Sequence, residues 1–109
     1  MLKESGVNMD YKLFIDDLRF PTTPDWFVAR NSFEAINALY LYGCPTEIAF
    51  DHDLGGQDTS MVFVKKFANM LLDGEISLPT GFKYSIHSAN PVGARNIHSF
   101  MEQLLEEIE

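Results

Sequence analysis

Short apolar runs that stop abruptly in polar residues organise this chain. Lys12-Leu13-Phe14-Ile15 ends at Asp16-Asp17, Thr46 to Phe50 ends at Asp51-His52-Asp53, and Phe82 to Ile86 ends at His87-Ser88-Ala89-Asn90. A further run, Trp26-Phe27-Val28-Ala29, follows a link containing Pro21 and Pro24, which is too proline-rich for a helix. Runs of this length and bounding predict buried strands.

Between the strands the period lengthens to that of a helix. Asn31 or Ser32, with Glu34 close behind, marks a helix start; Phe33, Ile36, Leu39 and Tyr40 recur at helical spacing, and Gly43 is placed to end it. Pro45 prevents a restart. Thr59 or Ser60 caps a second helix with the apolar set Met61, Val64, Phe67, Ala68 and Leu71, closed by Asp73-Gly74. Asn90-Pro91 opens a third, on which Ile97, Phe100, Met101, Leu104, Leu105 and Ile108 trace one face. These helical Phe and Met positions read as core.

The order β-β-α-β-α-β-α predicts an α/β sandwich around a mainly parallel sheet. The link from the first strand to the second is short for a parallel crossover. The second strand is therefore expected at an edge, reached by a loop, with a helix missing before it. Were that strand antiparallel, the sheet would be mixed. The length of 109 residues fits one domain over 1–109, with residues 1–9 as a polar tail.

Composition narrows the function. Eight basic against sixteen acidic residues leave a net charge of −8, so non-specific binding to a nucleic-acid backbone is disfavoured. A phosphorylated ligand needs a cation to neutralise local carboxylates first. The single cysteine, Cys44, forms no disulfide or metal cluster and reads as a packed thiol. No apolar run approaches a membrane span, and a cytoplasmic protein is expected.

The chemistry gathers at three strand ends. In an open parallel sheet, ligands sit outside the carboxyl ends of the strands. Asp16, Asp17, Asp51 and Asp53 crowded at one mouth would repel, and a hard divalent cation relieves that, Mg²⁺ first and Mn²⁺ second. The bland alternative makes each Asp a turn former or cap. His52 and His87 stand beside the mouth, where a carboxylate suits an imidazole to proton transfer. Ser88 and Asn90 are placed to hold a phosphate oxygen, with Asn90 also a plain cap. Arg19 either clamps a phosphate or pairs with Asp17. His98 falls mid-helix and reads as surface.

Asp16-Asp17, Asp51 and Ser88-Ala89 resemble the receiver domains of two-component response regulators. That resemblance implies paired acids and a central Asp51 holding Mg²⁺, with Asp51 accepting a phosphoryl group. The chain departs from the pattern: no final strand with its Lys follows Ser88, and the first helix is missing. Asp16-Asp17-Leu18-Arg19-Phe20-Pro21, Phe50-Asp51-His52-Asp53-Leu54-Gly55 and His87-Ser88-Ala89-Asn90-Pro91-Val92-Gly93-Ala94-Arg95-Asn96 are more similar to a divergent family, the cyclic-phosphate processing receiver domain. The resemblance spans roughly residues 11 to 105 and implies a truncated receiver or flavodoxin-like three-layer sandwich of about four strands and three helices.

The combined expectation is a metal-dependent phosphoesterase for a small nucleotide-derived phosphate, cyclic or of ADP-ribose type. Asp16, Asp17, Asp51 and Asp53 are its metal ligands, Asp53 by its side chain or its backbone carbonyl; Asp51, His52 and His87 are its catalytic groups, and Arg19, Ser88 and Asn90 its phosphate holders. The alternative is a non-enzymatic receiver-like phosphoacceptor or interaction module, which leaves a protein partner open.

Overall fold

Four parallel strands make one sheet in the order β2-β1-β3-β4: β1 (Lys12–Ile15), β2 (Trp26–Ala29), β3 (Glu47–Phe50) and β4 (Lys83–Ile86). The computed structural model describes residues 10–108, so the expected tail at 1–9 lies outside the described residues. β2 is the edge strand reached by a loop, as its proline-rich approach requires, and it is parallel. The sheet is therefore not mixed.

Three helices follow: α1 (Ser32–Tyr42), α2 (Ser60–Leu72) and α3 (Pro91–Glu107). Each has the predicted cap. Asn31 accepts from the Glu34 N–H, Thr59 from that of Met61, and Asn90 from that of Gly93. Gly43, at φ 83°, ends α1 where a side chain would be strained.

All three helices cover the same face of the sheet. α1 packs on α2 and α2 on α3, and their buried residues join Leu13, Ile15, Ala29, Ile48 and Phe50 in one core cluster. Right-handed crossovers explain this for α1 and α2, and α3 packs on α2. The steps β2 to β3 and β3 to β4 both run across the sheet in one direction, so their helices land on one side. Only the step β1 to β2 runs the other way, and it carries no helix. The truncation of this receiver or flavodoxin-like fold thus falls on one complete layer.

The uncovered face carries Val28, Phe14, Ala49 and Ser85 as one row, aligned by the parallel register. Phe14 and Ala49 are buried, yet lie outside the helix-side core cluster. The loop from β1 to β2 shields this side.

The predicted helix faces need one correction. On α1 the buried residues are Ser32, Ala35, Ala38 and Leu39, whereas Phe33 is 74% exposed and Tyr40 56%. Of the predicted set, Leu39 is in the core and Ile36 packs against it; the helix is apolar nearly all round, so spacing alone also selected Phe33 and Tyr40 where the small alanines face the sheet. On α2, Phe63 and Met70 join the predicted Val64, Phe67 and Ala68 in the core, while Met61 and Leu71 are half-buried. On α3, Ile97, Met101 and Leu104 are buried, and Phe100 and Ile108 pack against them. Cys44 is buried, which pushes its thiol pKa up to about 12 and keeps it unreactive. No described helix is long and apolar enough to cross a membrane.

Candidate active site

The parallel ladder runs one residue past each strand. The Asp16 N–H donates to the Ala29 carbonyl at 3.1 Å, that of Asp51 to Ile15 at 2.8 Å, and that of His87 to Phe50 at 2.8 Å. Alternation then makes Arg30, Asp16, Asp51 and His87 the next row of the helix-free face. Four residues from four strand ends meet at one level.

Asp16, Asp17 and Asp51 each offer a carboxylate oxygen, and the three atoms lie within 4.8 Å of one another. Asp16 is only 1% exposed. Its Oδ1 accepts from the N–H groups of Leu18 (2.9 Å) and Arg19 (2.8 Å), and its Oδ2 pairs with His87 Nε2 at 3.0 Å. Burial opposes the charge, but the two backbone donors and His87 prevail and hold the carboxyl below its usual range. A carboxylate has about four lone-pair sites, so Oδ2 keeps a position for a cation. Asp51 is buried; its Oδ1 accepts from the His52 N–H at 2.9 Å, and its carbonyl accepts from the Ser60 hydroxyl.

His87 is fixed from two sides. Its ring stacks on Phe14 with centroids 4.8 Å apart and planes 7° apart, while Nε2 meets Asp16. Its carbonyl accepts from Arg19 Nη1 at 2.8 Å, which carries the Arg19 side chain across the mouth. Arg19 Nε stands 4.0 Å from Asp16 Oδ2, so its carboxylate partner is Asp16, not the expected Asp17.

A second group stands beside the first. His52 Nδ1 lies 2.9 Å from Asp53 Oδ1, and Asn90 Nδ2 donates to Asp53 Oδ2 at 3.2 Å. His52 first and Asn90 second hold the Asp53 carboxyl below its usual range. Asp53 is exposed and stands outside the three-carboxylate cluster. The His52 ring rests on the start of α3 where only glycine fits: a Cβ on Gly93 would lie 2.3 Å from His52 Cγ. Asn90 is committed at both amide atoms, to Asp53 and to the Gly93 N–H at 3.0 Å. Ser88 Oγ accepts from the Asn90 N–H at 3.1 Å.

Two supporting residues escaped the sequence reading. Arg30 Nη1 donates to the carbonyls of Asp16 (2.9 Å) and Arg19 (2.6 Å), pinning the loop that carries the acids. Its position directly after a strand, like Asp16 and Asp51, was the available signal. Asp58 accepts from the Ser32 N–H (2.8 Å) and hydroxyl (2.6 Å), tying the loop after β3 to the start of α1. Nothing in its spacing marks it.

Three hard oxygen donors at this separation, two of them buried, suit a Mg²⁺-like cation better than a softer metal. The fixed His87 imidazole bonded to one of them suits proton transfer, and Arg19 suits an anionic ligand. The family model described as Cyclic-phosphate processing Receiver domain matches residues 11–103. No curated protein and no solved structure matches the chain.

Proposed function

We propose, because this chain belongs to the cyclic-phosphate processing receiver domain family, that it is a small metal-dependent phosphoesterase for nucleotide-derived phosphates, cyclic or of ADP-ribose type. The observation that carries this reading is the trio Asp16, Asp17 and Asp51 within 4.8 Å, with His87 bonded to one of its members.

Asp16, Asp17 and Asp51 would hold Mg²⁺ or Mn²⁺, which when bound supplies charge neutralisation and Lewis-acid polarisation of a phosphate oxygen. His87 moves a proton at Nδ1, the nitrogen not engaged with Asp16. His52, oriented by Asp53 through Nδ1, presents Nε2 as the second proton carrier. Arg19 and the Ser88 hydroxyl hold phosphate oxygens. Asp53 and Asn90 act through His52 rather than on the metal or the phosphate.

The test is hydrolysis of a nucleoside 2′,3′-cyclic phosphate, followed by separation of substrate from monophosphate. Turnover that requires Mg²⁺, stops with a chelator and is lost in Asp51→Asn and His87→Ala is the expected result. No turnover of any cyclic phosphate by the wild type rejects the reading. A second reading is favoured by the place of Asp51 between the acid pair and β4: a phosphoacceptor without turnover. A stable acyl-phosphate on Asp51, formed from a small phosphodonor in a protein inert to cyclic phosphates, supports it.

A further inference from the structure

The face left without a helix contains a cavity of about 310 Å³ beside the acidic cluster. From the sheet, Phe14, Trp26 and His87 line it; from the loop, Phe20 and Pro21 do. Its floor is Ala49 and Ser85, the two smallest members of the row across the sheet. Small side chains there, next to the Phe14 ring, create the space. The rings are ordered: Phe14 stacks on His87, and Trp26 meets Phe14 edge-on at 5.9 Å and 71°. Phe20, 77% exposed, is braced by the Arg30 guanidinium 4.4 Å from its centroid.

His87 and Arg19 belong to both the cavity and the acidic site. A ligand whose phosphate lies at the carboxylates therefore has its remainder directed into the cavity. The lining is ring-rich and carries no carboxylate, and the volume sits at the low end for ligand pockets. Flat π-faces and a small slot match a neutral planar ring, not a second phosphate and not an extended chain. We propose that this cavity is a base-binding subsite, and that the substrate class is a nucleoside cyclic phosphate whose nucleobase stacks against Phe20 and the Trp26–Phe14–His87 wall. This deepens, and rests on, the phosphoesterase reading for where the phosphate lies.

Trp26 is the only tryptophan in the chain, so its fluorescence reports occupancy directly. The experiment titrates adenosine, adenosine 2′,3′-cyclic phosphate and methyl riboside 2′,3′-cyclic phosphate, which lacks a base, into Mg²⁺-loaded protein. It compares the wild type with Phe20→Ala and Ser85→Leu, both at exposed positions that leave the core intact. Base stacking predicts that the wild type binds the nucleoside compound roughly tenfold or more tighter than the base-free one. Both variants abolish that difference, and Ser85→Leu does so with turnover of the base-free compound unchanged. Equal affinity of the two compounds in the wild type, or a preference that survives Ser85→Leu, overturns the subsite. Adenosine quenching that depends on Phe20 in a protein inert to every cyclic phosphate upholds the subsite and rejects the phosphoesterase. Turnover of the base-free compound with no adenosine binding does the reverse.

Discussion

His87 Nε2 stands 3.0 Å from Asp16 Oδ2 across 71 residues of chain, and the pair joins the ends of β1 and β4 over Asp51. The buried acid sets the imidazole's orientation, and stacking on Phe14 fixes its plane. General acid–base groups contribute roughly two to four powers of ten in rate. His87→Ala is therefore expected to lower kcat for a base-free cyclic phosphate by that amount with KM little changed, as steady-state kinetics will show. A rise in KM with kcat unchanged would make His87 a binding residue instead.

Asp16 also dictates a pH dependence. Its folded carboxyl lies below the usual value near 3.8, so between the two values the unfolded chain binds more protons. The stability it contributes is present above the unfolded value and is lost as pH falls through the folded one. Urea midpoints measured from neutral pH into the acid range below about pH 4 should drop for the wild type. Asp16→Asn should show a shallower acid limb, whatever its stability at neutral pH.

Gly93 and His52 form a steric pair. An alanine at 93 would place its Cβ 2.3 Å from His52 Cγ, too close for any real contact. Overpacking of this kind costs typically 1–3 kcal/mol, so Gly93→Ala should destabilise by about that much in denaturant unfolding. Adding His52→Ala should restore most of the loss without restoring turnover.

The acidic trio predicts a metal effect that needs no substrate. A ligand that binds only the folded form at a hundred times its dissociation constant adds about 2.7 kcal/mol. Thermal unfolding of the wild type should therefore shift upward with Mg²⁺ or Mn²⁺, and the shift should vanish in Asp51→Asn. An unchanged Tm in the wild type counts against the metal site.

Asp58 holds the first turn of α1 through two hydrogen bonds to Ser32. Removing it leaves a helix-start N–H and a buried hydroxyl without this partner. Asp58→Ala should cost about 1–3 kcal/mol in chemical denaturation. Asp58→Asn, which keeps an acceptor, should cost less.

Much of this was legible in the chain because parallel strands impose a shared end. Ile15, Phe50 and Ile86 are followed at once by polar groups, and the register then places Asp16, Asp51 and His87 in one row without further information. The missing helix was legible too, since Pro21 and Pro24 forbid one. What depended on packing was not. Phe33 and Tyr40 outrank Ala35 and Ala38 in hydrophobicity, yet close seating on the sheet selects the alanines. Asp53 looks like Asp51 in sequence; it lies past the end of β3, where strand alternation no longer holds, and turns outward to His52 and Asn90. Arg30 has no motif, and only its position directly after β2 hinted that it shares the level of the acids.

The loop between β1 and β2 carries two burdens at once. It supplies Asp17 and Arg19 to the candidate site, and among the described residues it alone covers the helix-free face. In a layout with a helix on each side, scaffold and reactive groups can drift apart in sequence independently. Here they share ten residues, so a change that loosens the roof also moves the site's side chains, and robustness and site geometry must be inherited together.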